Sequence, residues 1–334
     1  MKTEVITSHN VAARLEGSRH PDETIIYSAH WDHIGVGEPD ARGDRIFNGA
    51  LDNASGTAAL IELARGFAKA RQPERSVLFL AVTAEEKGLL GSEYYATHPL
   101  YPLEKTVAMI NMDGMAPFGP SRDFGIYGAA RFELLDQLKD VAKGWDIRYT
   151  PDPKPEAGLF FRSDHFPFAK RGVPALSWSA GQDWVDGGVA AGKKASEDYT
   201  AKRYHQQGDE WQPDWTFAGA ARDLAVAVAA RQAAAHRSRC QGLGGAGRIH
   251  PRRSPLVAAG EDLLPRAASA HAGAHLAAAA GRARGRPPVA WVGARIRRCL
   301  GGVAARRRGR RCRPRTLPRR VAPRSPGRCR ARLR

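Results

Sequence analysis

Thr24-Ile25-Ile26-Tyr27-Ser28-Ala29-His30-Trp31-Asp32-His33 is the stretch on which the fold turns. Thr24 to His30 is an unbroken, mostly apolar run, the signature of a strand buried on both faces. It ends in His-x-Asp, and strand side chains alternate with period two, so His30 and Asp32 lie on one face. The stretch that answers it is Leu51-Asp52-Asn53-Ala54-Ser55-Gly56. It opens a helix and sets a carboxylate at the helix start. Imidazole and carboxylate at neighbouring element ends make a metal-site pattern.

Working outward, Lys2 to Glu16 reads as one or two strands, and residues 31–50 as a Gly- and Asp-rich loop. Asn53 to Arg71 predicts a helix whose apolar face is Ala58, Ile61, Leu63, Ala64, Phe67 and Ala68, capped by Asp52 or Asn53. Ser76 to Val82 is a buried strand, Leu89 to His98 a short helix, and Thr106 to Asp113 another strand. Helices follow at Phe132–Lys143 and Ser163–Arg171, then a strand at Val173–Trp178, a long loop over 179–203, and a last helix from Trp215 to about Arg231. Strands alternating with helices predict an α/β fold: a mostly parallel or mixed central sheet flanked by helices on both faces. Such sheets bind ligands at the carboxyl ends of their strands. His30, Glu85, Glu86 and Asp113 all sit where a predicted strand stops.

The net charge of +18 over 334 residues suggests a nucleic-acid or membrane binder at first sight. The charge is unevenly spread. Residues 236–334 hold 26 Arg, no Lys, and only Glu261 and Asp262 as acids, a net +24 that leaves −6 on residues 1–235. All four cysteines, Cys240, Cys299, Cys312 and Cys329, lie in that last part, with no Cys-x-x-Cys pair for zinc. Two segments are therefore expected: a domain over 1–235, and an Arg/Ala/Gly/Pro-rich tail over 236–334. The tail has no sustained apolar period and reads as disordered or, given the abrupt loss of Lys, as frameshift-derived. Its Gly242-Leu243-Gly244-Gly245-Ala246-Gly247 matches a nucleotide-loop pattern, but no predicted strand precedes it. With no signal core at Met1-Lys2-Thr3-Glu4-Val5 and no spanning segment, the chain as written is expected in the cytoplasm, away from membranes.

Five residues emerge as candidate metal ligands: His30, Asp52, Glu86, Asp113 and His205. Nitrogen and oxygen donors without sulfur suit zinc, less often manganese or cobalt. Five is many for one catalytic zinc and suits two ions sharing a carboxylate, about 3.5–4 Å apart. Asp52, in its tight Asn-Ala-Ser-Gly turn, is the natural bridge. In Glu85-Glu86 one carboxylate can bind metal while its neighbour takes a proton from an activated water.

Six stretches in order then carry a resemblance: Ala-His-Trp-Asp-His at 29–33, Gly-Ala-Leu-Asp-Asn-Ala-Ser-Gly at 49–56, Thr-Ala-Glu-Glu-Lys-Gly-Leu-Leu-Gly-Ser at 83–92, Asn-Met-Asp at 111–113, Ser-Asp-His-Phe-Pro-Phe at 163–168 and Tyr-His at 204–205. Over roughly residues 2–235 the chain resembles metallopeptidase family twenty-eight, which holds the secreted bacterial leucyl aminopeptidases and aminopeptidase Y. The resemblance implies two zinc ions per chain, one on His30 and Asp113, the other on Glu86 and His205, with Asp52 bridging. It implies Glu85 as general base, Asp32 as the group orienting His30, and Tyr204 as a hydrogen-bond donor to the tetrahedral oxyanion. It also implies a cis peptide at Asp52-Asn53, and relatives that are often exported. Family domains usually carry more sequence before the first His, so an N-terminally truncated catalytic domain is expected.

The expected function is hydrolysis of N-terminal residues from a peptide substrate. A carboxypeptidase or other amide hydrolase is the alternative, to be favoured by a basic residue poised for a terminal carboxylate. A glutaminyl-cyclase-like use of the fold fits less well, since that chemistry works with one zinc. A non-catalytic binding protein with a nucleic-acid-binding tail is the second alternative; no specific nucleic-acid partner is expected. His33 is expected to be a decoy and His165 to brace the pocket wall, not to ligate. Phe160, Phe161, Phe166 and Phe168 are expected either to line a substrate pocket or to pack.

Overall fold

The computed structural model describes residues 6–128 and 133–229, and the backbone of 230–237 and 290–297. In chain order the elements are β1 (Thr7–Leu15), β2 (His20–His30), β3 (Gly35–Val36), β4 (Ile46–Phe47), α1 (Gly56–Lys69), β5 (Arg75–Val82), α2 (Leu90–Thr97), β6 (Thr106–Met112), β7 (Asp123–Ile126), α3 (Glu133–Lys143), β8 (Arg148–Tyr149), α4 (Phe166–Ala169), β9 (Ala175–Ala180), α5 (Gly188–Lys202), α6 (Ala218–Arg237) and β10 (Ala290–Arg297).

One sheet runs in the order β10-β1-β5-β2-β6-β9-β7-β8, and β3 with β4 forms a separate two-stranded ribbon. The middle four strands, β5-β2-β6-β9, are parallel, while β1 joins β5 and β7 joins β9 antiparallel. Alternation sorts the central strands' side chains onto two faces. Ile25 and Tyr27 of β2, Val77 and Phe79 of β5, and Ala108 and Ile110 of β6 meet α1, α3 and α6. Ile26, Leu78, Leu80 and Met109 point the other way, against Tyr95 of α2 and Phe168 of α4. Each such aliphatic side chain contributes about 1.5–3 kcal/mol when fully buried, which is why the central strands read as continuous apolar runs.

Chain order places the site. From β2 the chain crosses through α1 to β5 on one side, then passes through α2 to β6 on the other. The direction reverses at β2, and a reversal leaves a crevice beyond the carboxyl ends of the strands. His30 ends β2, Asp113 follows β6, and Glu85 and Glu86 lie just past β5.

The expected architecture is observed, with five differences. Residues 31–50, expected as a loop, carry the short β3–β4 ribbon. Residues 179–203 are not one loop, since α5 occupies 188–202. Its only buried residue is Gly192, and Lys194 and Lys202 pair with Asp198 at 2.7 and 2.8 Å. A helix held by i,i+4 charge pairs shows no apolar stripe, so periodicity misses it. The helix expected over Ser163–Arg171 is a single turn that starts at Phe166-Pro167, where proline suits a first turn. Strands β7 and β8 are four and two residues long and leave no periodic signal. Finally, α6 runs to Arg237, and Ala290–Arg297, where composition predicts no element, pairs antiparallel with β1 from Thr7↔Arg297 to Arg14↔Ala290. That pairing covers the open edge of β1, whose backbone groups would otherwise face solvent. The remaining tail and its four cysteines lie outside the described residues. No described helix is long and apolar enough to cross a membrane.

Candidate metal centre

Asp52 stands in the turn Ala50–Ser55 that leads into α1, and its peptide to Asn53 is cis. Side chains of the Asn-Ala-Ser-Gly stretch lace this turn to the end of β6. Asn53 Nδ2 donates to the Met112 carbonyl at 2.9 Å, and Asn53 Oδ1 accepts from the Gly56 and Gly114 amides at 2.9 and 3.2 Å. Ser55 Oγ donates to the Leu51 carbonyl and accepts from the Met115 amide. A Cβ on Gly56 would collide with both the Asn53 side chain and the Met112 carbonyl, so this close approach requires glycine. The expected cap of α1 is thus Asn53, reaching the Gly56 amide.

The five expected ligands are brought together. His30 Nε2 lies 3.1 Å from Asp52 Oδ1 and 3.2 Å from Asp113 Oδ1. His205 Nε2 lies 3.2 Å from Asp52 Oδ2 and 3.2 Å from Glu86 Oε2. Asp52 therefore offers one oxygen to each imidazole. Two of the flanking backbones are left-handed: Ala84, just before the Glu pair, at φ 56°, and His205 itself at φ 57°. Such conformations at non-glycine residues cluster at functional sites.

The other oxygens of the two outer carboxylates face further side chains. Asp113 Oδ2 accepts from Ser163 Oγ at 2.7 Å, and Ser163 in turn accepts from the buried Asn111 amide. Glu86 Oε1 lies 2.8 Å from His33 Nδ1, so His33, expected to stand apart, borders the cluster. Asp32 touches His30 by an unexpected route: its main-chain carbonyl, 3.0 Å from His30 Nδ1. That contact places the Nδ1 proton and leaves Nε2 as a ligand atom. The Asp32 carboxylate instead lies 3.5 Å from the Glu85 amide.

The electrostatics call for cations. Burial is the largest influence on His30 and pulls its pKa down, yet hydrogen bonds with Asp113 and Asp52 outweigh it and hold the ring well above the usual range. Burial likewise raises Asp52, and His205 and His30 overcome it, holding Asp52 well below the carboxylate range. Glu85 is pushed up to about 9 by burial, then by the charge of Asp164. Asp164, fully buried on Ser92 Oγ at 2.6 Å, is pushed to about 7 by burial. Among the described residues, Asp52, Glu86 and Asp113 have ion-pair contacts with histidines and none with Lys or Arg. Each imidazole Nε2 faces two carboxylate oxygens at 3.1–3.2 Å, and one N–H cannot align on both. Oxygen and nitrogen atoms so gathered, without sulfur, have the chemistry of a zinc donor set. Two groups sharing Asp52 meet the spacing for an ion: His30, Asp52 and Asp113, and His33, Asp52 and Glu86.

The remaining expected residues flank this centre. Tyr204 stacks on His205 with ring centroids 3.9 Å apart. Burial, then the Asp52 charge, pushes its hydroxyl to about 12, so it keeps its proton. His165 is fully buried, outside the ligand cluster, edge-on to Phe160, and burial lowers it to about 4. Phe160, Phe161 and Phe166 form one edge-to-face group, with Phe161 60% exposed. Phe168 leaves that group and packs on Tyr95 in the core. Ser163 and Asp164 sit inside a motif legible in the sequence and Asp209 lies four residues past another, but their partners are set by the fold alone.

A family model described as Peptidase family M28 matches residues 10–229. A probable zinc metalloprotease of Pyrenophora teres f. teres is 39% identical over 103 residues, which cover 31% of this chain and 22% of that one. The aminopeptidase NAALADL1 of Mus musculus is 30% identical over 181 residues, covering 47% of this chain and 22% of that one. The chain thus spans about a fifth of the length of these curated relatives. Among solved structures, an aminopeptidase from Aneurinibacillus sp. strain AM-1 aligns over 60% of this chain and 47% of its own, at 24% identity and a TM-score of 0.42.

Proposed function

The chain belongs to peptidase family M28, and from that premise we propose that residues 1–235 form a two-zinc exopeptidase that removes N-terminal residues from peptides. One observation carries the proposal: the two oxygens of Asp52 face different imidazoles, His30 at 3.1 Å and His205 at 3.2 Å. His30 and Asp113 would hold one zinc, Glu86 and His205 the other, and Asp52 both. Bound there, zinc would polarise the scissile carbonyl and make a nearby water more acidic.

The chain's own groups do the rest. Glu85 takes the proton of the attacking water and returns it to the leaving amine. Glu85 adjoins the ligand Glu86 in sequence and follows the same strand end, so its carboxylate borders the metal centre. The Tyr204 hydroxyl, protonated across the working range, donates to the oxygen that gains negative charge. Asp32 keeps the His30 ring oriented through its carbonyl. The surplus of buried carboxylates favours a substrate's free ammonium.

The test is metal content of the purified chain beside hydrolysis of leucyl-p-nitroanilide, with and without chelator. Two zincs per chain and activity lost to chelator and restored by zinc are expected. Hydrolysis only of N-blocked peptides with free carboxyl ends would select the carboxypeptidase. A folded chain that takes up no zinc would overturn both.

A further inference from the structure

Three consecutive amides ahead of the cis peptide converge on one residue. The Ala50 N–H donates to the main-chain carbonyl of Asp209 at 2.9 Å. The Leu51 N–H donates to its Oδ1 and the Asp52 N–H to its Oδ2, both at 3.0 Å. A fourth donor, the Tyr199 hydroxyl of α5, reaches Oδ2 at 3.2 Å. Asp209 is fully buried, and it lies four residues beyond His205.

Asp52 and Asn53 have non-helical backbone angles, so the amides before them cannot be satisfied by the helix that follows. A buried amide without a partner is destabilising. Asp209 satisfies all three, and in doing so ties the Asp52 turn to the loop that carries His205. We propose that Asp209 is a positioning residue for the metal pair: it fixes the Asp52 carboxylate so that its two oxygens face His30 and His205. The proposal rests on the two-zinc site argued above. Asp209 touches neither substrate nor the reacting atoms, and it acts through Asp52.

An amide at this position offers one acceptor oxygen where two are used, and turns an N–H toward an N–H. In the full chain, Asp209→Asn is expected to weaken zinc binding about 10–100-fold, read by competition with a chromogenic chelator. The visible spectrum of the cobalt-loaded protein shifts with it, because the bridging ligand moves. A role confined to stability makes a different forecast: the melting temperature of the zinc-free chain falls, while zinc affinity and cobalt spectrum hold. That result in a folded variant overturns the proposal. If Asp209→Asn does not fold, Tyr199→Phe removes one donor from Oδ2 and little else. It is expected to cost about three-fold in zinc affinity, against none for Tyr95→Phe, a buried tyrosine packed on Phe168 in the core. Equal affinity in the two tyrosine variants also overturns it. A folded wild-type chain that binds no zinc refutes the two-zinc site, and the role of Asp209 with it. A wild type that binds two zincs no more tightly than its variants refutes the positioning role alone.

Discussion

Asp223 on α6 is a buried carboxyl that accepts a hydrogen bond from Trp178 Nε1 of β9, at 3.1 Å to Oδ2. Burial pushes its pKa from 3.8 to about 7, against the smaller pull of the Trp178 bond and the Arg222 charge. Between pH 4 and 7 the folded chain therefore binds more protons at this site than the unfolded chain. Stability is highest below the unfolded pKa and is lost as pH rises through the folded one. The shift spans about three pH units at 1.36 kcal/mol each, so the loss approaches about 4 kcal/mol by pH 8, to within a factor of two. Asp223→Asn keeps an acceptor for the indole and removes the charge. Urea unfolding of wild type and variant, with chelator present throughout, isolates this residue as the difference between two curves. The two proteins should be of similar stability near pH 4, and the variant should gain steadily up to pH 7 and then level off. A flat difference across the range would refute burial as the dominant influence. A wild type that gains on the variant as pH rises would show that Arg222 stabilises the anion instead. The bond joins α6 to the sheet near the end of the family match, so the same curves report whether residues 1–235 unfold as one unit.

Glu85→Gln should keep its zinc content and KM while kcat falls about 10²–10⁴-fold, since only proton transfer is removed; steady-state kinetics beside metal analysis checks this. Ser163→Ala deletes the donor to Asp113 Oδ2 and the acceptor for the buried Asn111 amide. It should cost about 1–3 kcal/mol of stability in urea and roughly tenfold in zinc affinity; a change in neither would show that Asp113 needs no such support. Truncation after Arg237 removes β10 and uncovers the edge of β1. The shortened chain should self-associate on size exclusion at concentrations where the full chain does not.

What the sequence displayed follows from which forces are local. Apolar runs announced β2, β5, β6 and β9, because a strand buried on both faces has nothing polar to interrupt it. The ligands were legible because a parallel sheet gathers the residues that end its strands. By contrast, α5 is held by Lys-Asp pairs on its surface, and β7 and β8 are too short to show a period. Asp209 stood in plain view four residues after His205, but its partners are backbone amides, and no side-chain pattern marks an amide that needs an acceptor. For the same reason the sequence does not show which group of Asp32 meets the His30 ring: it is the main-chain carbonyl, 3.0 Å from Nδ1.

The geometry also bears on why Asp52, of three clustered carboxylates, should be the shared one. A carboxylate can serve two cations only if both its oxygens are free of other claims. Asp113 has given its second oxygen to Ser163 in a hydrogen bond of 2.7 Å, while the second oxygen of Glu86 lies 2.8 Å from His33 Nδ1 without one. Asp113 is left with one oxygen for the cluster, and Glu86 keeps one oxygen on the His33 side and one on the His205 side. Asp52 is held by its own amide and its neighbours' amides, through Asp209. The turn is fixed by its backbone, and no side-chain contact other than the two imidazoles need constrain the carboxylate. The division of labour follows from which oxygens already face other side chains. It predicts an asymmetry: removing the ring beside the second oxygen of Glu86 by His33→Ala should loosen the zinc shared with His205 more than the one shared with His30. Stepwise zinc titration of that variant, with the two binding steps resolved, would read it, and equal loosening of both would show that His33 merely packs.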